Sequence, residues 1–252
     1  DDTLFSSLGA DSLAGGAGFD TADYSASTSA VIASTNGVDI GLGGTATGDV
    51  LTNIERIIGS AYGDALTGSS ASDTLLGQSG NDVIEGRDGA DVIDGGAGTD
   101  TASYALATSG VSVSLATNTG TVGEATGDTL TSIEALVGSA FADTLEGGAS
   151  AETLDGGAGD DLLLASAGAD TLTGGTGFDT ASYATAASSV TVNLDGSSSS
   201  GDIAAGDRLT SVESVIGSAF NDIITGTFSD DTLIGGAGDD ILSGGTGNDI
   251  VS

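Results

Sequence analysis

A nine-residue pattern, G-G-x-G-x-D-x-U-x with U aliphatic, runs in tandem along this chain and leaves few folds open to it. The clearest run starts at Gly59 and reads GSAYGDALT, GSSASDTLL, GQSGNDVIE, GRDGADVID, GGAGTDTAS. A second run starts at Gly138 and a third at Gly217, so the starts lie 79 residues apart each time. Nested periods of nine and 79 mark a solenoid, in which each repeat contacts mainly its neighbours.

In GQSGNDVIE, residues 77–85, Gly77 and Gly80 permit backbone conformations that a β-carbon would penalise. Six residues of turn lead into three of strand. Side chains alternate along a strand, so Val83 and Glu85 point one way and Ile84 points inward. The same position holds Leu66, Leu75 and Ile93, then Leu145, Leu154, Leu163 and Leu172, then Ile224, Leu233, Leu242 and Val251. One inward residue in nine makes a thin core. Each is worth about 1.5–3 kcal/mol when fully buried, against an ordering cost of about 1–2 kcal/mol per residue. Something else must hold the turns.

The charge balance points to what that is. The chain carries 37 acidic residues against three arginines, with no Lys and no His. Such a polyanion repels nucleic acid and anionic membranes and attracts cations. Cysteine is absent, so no disulfide can staple the fold. No apolar run approaches the roughly 18 residues of a membrane span, and no membrane insertion is expected. High charge with few aromatics reads as disorder. Yet 38% of the residues are hydrophobic and recur in phase, which predicts a chain disordered without cation and folded with it.

Two nonapeptides forming one coil of a parallel β-roll stack loop n on loop n+2, with coils about 4.8 Å apart. Asp64, Asp82 and Asp100 then line one edge, and Asp73 and Asp91 the other. Bare carboxylates so close repel. Ca²⁺ between successive loops inverts the sign, since it takes roughly six to eight oxygens from carboxylates and backbone carbonyls.

The pattern resembles the repeats-in-toxin (RTX) family of haemolysin-type calcium-binding repeats, for which this nonapeptide is a known signature. The resemblance implies an all-β fold, a parallel β-roll or β-helix solenoid with Ca²⁺ in the Gly-Asp turns. It also implies that the sixth-position acid and turn carbonyls bind Ca²⁺ between loops n and n+2. Carried over to this sequence, those positions are Asp64, Asp73, Asp82, Asp91 and Asp100, then Asp143, Glu152, Asp161, Asp170 and Asp179, then Asp222, Asp231, Asp240 and Asp249. An N-terminal remnant supplies Asp2, Asp11 and Asp20. Pairing loops n and n+2 gives about six to nine ions. Some loops depart from the pattern. Glu152 stands for Asp, and Ala165 replaces the first Gly. Tyr62, Phe141 and Phe220 sit where the fourth-position Gly is expected. These three loops are expected to bind weakly or to serve as structural starts.

Between the blocks lie stretches of a second kind. Tyr24, Tyr104 and Tyr183 close each preceding block, and are expected to fill a wider coil. Alternating runs follow, Val111–Leu115 and Val190–Leu194, which read as half-buried strands. Val38–Leu42 is the counterpart expected in the first spacer. GDVLTNIERIIGSA (48–61), GDTLTSIEALVGSA (127–140) and GDRLTSVESVIGSA (206–219) come next. Glu55, Glu134 and Glu213 recur in them as exposed or capping carboxylates, with a further cation ligand as the alternative. Asp49, Asp128 and Asp207 are equally open. The organisation read from this is one continuous solenoid. RTX blocks run over 1–24, 59–104, 138–183 and 217–252, and β-helical spacers over 25–58, 105–137 and 184–216. Residue 1 falls inside a repeat, so the chain reads as a segment of a longer one.

The expected role is a calcium-dependent structural segment of a secreted cell-surface protein, such as an adhesin stalk, an S-layer protein or an extracellular filament. The alternative is an accessory calcium-binding module of a secreted enzyme, such as a protease, lipase or alginate epimerase. The segment itself is not expected to be an enzyme: it has no His, Cys or Lys and no plausible nucleophile–base pair. Open solenoid ends make self-association into an array or filament a further expectation.

Overall fold

The computed structural model describes residues 1–37 and 40–252. Its strands are short, most of them three residues long, and pair in parallel except for Thr119–Val122, which runs antiparallel to Thr129–Thr131. The chain divides into two compact units, one of Asp1–Ala107 with Asn118–Ala135 and one of Thr108–Thr117 with Leu136–Ser252.

In the first unit, Thr3–Phe5, Thr21–Asp23, Arg56–Ile58, Thr74–Leu76, Val92–Asp94 and Thr129–Thr131 pair in that order. A second file runs Ile32–Ser34, Ala65–Thr67, Val83–Glu85, Thr101–Ser103. Consecutive nonapeptides therefore alternate between the two files. Loops n and n+2 are neighbours, as in a β-roll. The second unit repeats the arrangement. One file runs Ser112–Ser114, Thr144–Glu146, Leu162–Leu164, Thr180–Ser182, Ser214–Ile216, Thr232–Ile234. Another joins Thr153–Ala158, Thr171–Thr176 and Arg208–Thr210, and a third joins Thr191–Asn193, Ile223–Thr225 and Ile241–Ser243.

The middle residue of each three-residue strand faces in. Leu66, Leu75, Ile84, Ile93, Leu145, Leu154, Leu163, Leu172, Ile224 and Leu233 are all at most 1% exposed. Leu242 is only partly covered and Val251 is 53% exposed, in the last strands of their files. Glu85, expected to face outward with Val83, is covered instead and meets the Arg87 guanidinium at 3.4 Å.

The spacers add coils to the same files. Leu51, Leu130 and Leu209 fill the inward position of one strand, and Ile57, Leu136 and Val215 that of the next. Each spacer also carries one short 3-10 turn, at Gly44–Ala46, Gly123–Ala125 or Asp202–Ala204. The runs Val111–Leu115 and Val190–Leu194 are half-buried strands with Val113 and Val192 inward. In the first spacer the expected strand Val38–Leu42 falls partly on Val38 and Asp39, which lie outside the described residues. The structural counterpart is Ile32–Ser34, with Val31 and Ala33 buried. Val31 stands seven residues after Tyr24, as Val111 and Val190 stand after Tyr104 and Tyr183.

Leu75 stacks in register between Ile57 and Ile93. Leu75→Ala removes a fully buried side chain from a core one residue thick and is expected to cost about 2–5 kcal/mol. Denaturant unfolding in saturating calcium measures it. Val92→Thr, on a half-exposed neighbour, is expected to cost under about 0.5 kcal/mol.

Candidate metal centre

The site is built from the acid at the sixth position of each nonapeptide. One carboxylate oxygen faces the adjacent coil and accepts the backbone N–H of the acid there. Asp64 N–H donates to Asp82 Oδ1 at 2.6 Å, and Asp82 N–H donates to Asp100 Oδ1 at 2.8 Å. On the opposite edge Asp73 N–H donates to Asp91 Oδ1 at 2.8 Å. In the second unit Asp143 N–H donates to Asp161 Oδ1, and Asp161 N–H to Asp179 Oδ1. Glu152 N–H donates to Asp170 Oδ1, Asp222 N–H to Asp240 Oδ1 and Asp231 N–H to Asp249 Oδ1. Asp2 N–H donates to Asp20 Oδ1 at the edge of the first unit. The carboxylates thus form files, and most are buried: Asp20, Asp64, Asp73, Asp82, Asp91, Asp100, Asp143, Asp161, Asp170, Asp179, Asp222 and Asp231 are at most 3% exposed and Glu152 is 6%. Asp240 and Asp249 are partly covered, and Asp2 is exposed.

The second oxygen separates the loops into two kinds. Where the second position holds Ser or Thr, its backbone N–H donates to Oδ2 of its own acid at Asp64, Asp73, Asp143, Asp222 and Asp231, and the hydroxyl turns back onto the same carboxylate. Ser60 donates to Asp64, Ser69 to Asp73, Ser139 to Asp143, Ser166 to Asp170, Ser218 to Asp222 and Thr227 to Asp231, all at 2.8–3.2 Å. Among loops with Gly, Gln or Arg there, Gly148 keeps an ordinary φ and donates its N–H to Glu152 Oε2 at 3.2 Å, whereas Gly16, Gln78, Arg87, Gly96, Gly157 and Gly175 turn left-handed, with φ between 71° and 107°. Oδ2 of the matching acid, Asp20, Asp82, Asp91, Asp100, Asp161 or Asp179, is then buried with no hydrogen-bond partner. Tyr62, Phe141 and Phe220 all belong to hydroxyl-capped loops.

An unpartnered buried carboxylate oxygen is costly. Burial pushes the Asp82 carboxyl up to about 6; the Asp64 N–H pulls it back, and the charges of Asp64 and Asp100 add to the rise. Burial likewise pushes Asp91 up to about 7 and Asp161 up to about 6. Several of these Oδ2 atoms also have a carbonyl close by. A β-carbon built on Gly77 would fall on Asp82 Oδ2 and lie 2.6 Å from the Gly95 carbonyl oxygen; one on Gly156 would fall on Asp161 Oδ2 and lie 2.6 Å from the Gly174 oxygen. Gly77 is therefore required by close approach and not by a left-handed φ, which belongs to Gly80 at 122°. Among the described residues, no three acidic side chains converge closely enough to hold an ion by themselves. A cation here would draw on Oδ2 and these carbonyls together, a hard-oxygen donor set suited to Ca²⁺.

An RTX calcium-binding nonapeptide family model matches residues 1–22, 67–102, 131–163, 146–181 and 216–251, more than half of the chain. The chain belongs to the RTX calcium-binding repeat family. A search of the curated proteins finds no match to it. RTX repeats bind Ca²⁺ and form β-rolls, and they are typical of secreted bacterial proteins. Among the described residues no helix is long and apolar enough to cross a membrane.

Two groups of spacer acids also sit in the RTX files. Asp49, Asp128 and Asp207 are at most 1% exposed, and their Oδ1 atoms accept the N–H of Asp11, Asp91 and Asp170. Their Oδ2 atoms accept the hydroxyls of Tyr24, Tyr104 and Tyr183 at 3.3, 2.9 and 3.1 Å. Burial and the facing carboxylates push these tyrosines far above the usual phenol range, so they stay protonated donors. The tyrosines are at most 1% exposed, with no ring face open to a sugar. Glu55, Glu134 and Glu213 accept the N–H of Asp20, Asp100 and Asp179 at 2.8–2.9 Å. One sequence signal was common to all six: an acid two residues before an inward aliphatic, as in Asp49-Val-Leu51 and Glu55-Arg-Ile57. It is the D-x-U core of the nonapeptide without its glycines.

Proposed function

We propose that this chain is a calcium-folded structural segment of a secreted cell-surface protein, an adhesin stalk, an S-layer protein or an extracellular filament. The observation that carries this reading is the set of buried, unpartnered Oδ2 atoms recurring along the files. Without a cation these charges oppose folding; with one, binding free energy becomes folding free energy. Scarce cytosolic Ca²⁺ would leave the chain unfolded and able to pass a narrow channel of the type I secretion kind. Millimolar Ca²⁺ outside would fold it. The 79-residue super-period with long spacers favours a multi-unit surface protein over an accessory module of an enzyme. The segment is itself non-catalytic in this reading, and its acidic coils can self-associate into an array or filament.

Far-UV circular dichroism during a Ca²⁺ titration, with chelator reversal and a Mg²⁺ control, tests the proposal. A cooperative coil-to-β transition at micromolar to millimolar Ca²⁺, absent with Mg²⁺, is expected. A β signal that survives exhaustive chelation at neutral pH would sink it.

A further inference from the structure

The spacers end in the three-residue motifs Asn53-Ile-Glu55, Ser132-Ile-Glu134 and Ser211-Val-Glu213. The first residue of each is left-handed although none is glycine, with φ of 50°, 52° and 50°. Its carbonyl oxygen is aimed at the first glycine of the loop packed against it. A β-carbon built on Gly15 would meet Asn53 O and lie 2.7 Å from Asp20 Oδ2. One on Gly174 would meet Ser211 O and lie 2.6 Å from Asp179 Oδ2, and one on Gly95 would meet Ser132 O and lie 2.7 Å from Asp100 Cγ. Between nonapeptides, the same place beside Oδ2 belongs to the first-position carbonyl of loop n+2, as Gly95 O does beside Asp82.

Asp20, Asp100 and Asp179 are all fully buried, and Oδ2 of each has no partner. Their N–H groups are taken by Glu55, Glu134 and Glu213. A spacer carbonyl, a spacer glutamate and an orphaned aspartate oxygen thus meet at one junction, three times along the chain, and the spacer residues recur every 79 positions. Glu55 and Glu213 lie outside the segments that the nonapeptide model matches.

We propose that each spacer completes a divalent-cation site with the nonapeptide loop it follows. The sites comprise Asp20, Asn53 O and Glu55; Asp100, Ser132 O and Glu134; and Asp179, Ser211 O and Glu213. The strained Asn or Ser is the device that lets a short spacer turn present the carbonyl that a glycine presents in a full nonapeptide. Spacers therefore extend the calcium file and do not interrupt it. This inference rests on the calcium reading above.

The test is calcium stoichiometry of the full chain by equilibrium dialysis, with folding followed by circular dichroism. Gln can still accept the Asp N–H through Oε1 and removes only the charge. Glu134→Gln is expected to bind one ion fewer at a free calcium that saturates the parent, and the triple variant E55Q/E134Q/E213Q three fewer. The exposed control Asp239→Asn is expected to match the parent. Should the triple variant not fold, the three single variants carry the test. Variants that bind as many ions as the parent, with the same affinity, overturn this inference and leave the calcium reading standing. A parent that binds no calcium overturns both.

Discussion

In excess chelator the chain is expected to hold β structure near pH 4.5 and to lose it by about pH 7.5. The reason is the direction of the carboxyl shifts. Asp82, Asp91 and Asp161 are pushed from the ordinary aspartate range up to about 6, 7 and 6 by burial. A group with a raised folded pKa contributes stability that is fully present below its unfolded value, about 3.9. That contribution is lost as pH rises through the folded value. The window for the metal-free chain therefore runs from about 4 to 7. Asp73, Asp128, Asp170 and Asp179, raised for the same reason, act in the same direction. Neutralising part of a formal charge of −34 also relieves self-repulsion. Calcium reverses the picture: it competes with protons for the same oxygens, so its affinity falls as pH drops through 7 to 6. Circular dichroism against pH, with chelator and with saturating calcium, measures both limbs at low protein concentration. A metal-free signal that does not change between pH 4.5 and 7.5 would mean that the buried carboxylates do not oppose folding.

Gly77→Ala is expected to be far more damaging than its exchange of a hydrogen for a methyl suggests. The methyl would fall on Asp82 Oδ2 and crowd the Gly95 carbonyl. One neighbour is backbone and the other is held by the N–H of Asp64. Overpacking of this kind costs about 1–3 kcal/mol. Here the displaced atom is also a candidate ligand, so a calcium ion should be lost with it. Gly148→Ala is the control. Its φ is ordinary and its nearest contact is the movable Glu152 Oε1 at 3.2 Å. Unfolding in saturating calcium, together with bound-ion counts, separates the two. Equal stability and equal ion count for Gly77→Ala would show that the loop opens without cost.

Much of this fold was legible because a solenoid is local in its logic. Position eight of each nonapeptide predicted Ile84 and Leu163 as inward, since side chains alternate along a strand and the middle one of three points to the core. The period of nine placed Asp64, Asp82 and Asp100 on one edge, since two nonapeptides close one coil. The spacers were harder. Glu55 has no glycine in the turn before it and Asp128 has only Gly127, and a carboxylate two residues before an aliphatic is too common a pair to single out. The alternating run Val38–Leu42 lies further from Tyr24 than its counterparts lie from Tyr104 and Tyr183, and Val31, at the matching distance, is the buried residue.

The amino-acid order by itself determined the repeat, the inward aliphatics, the anionic surface and the RTX signature, because each depends only on residues within one coil or the next. Tertiary structure alone decided which carboxylate oxygens are satisfied. Ser60 closes on Asp64, Tyr104 reaches across 24 residues to Asp128, and Asp82 Oδ2 is left without a donor. Those outcomes depend on backbone φ at the second position and on which coil packs above. Hydrogen bonds are short-ranged and directional, so stacking had to be in place before any file of acids could divide into capped oxygens and open ones.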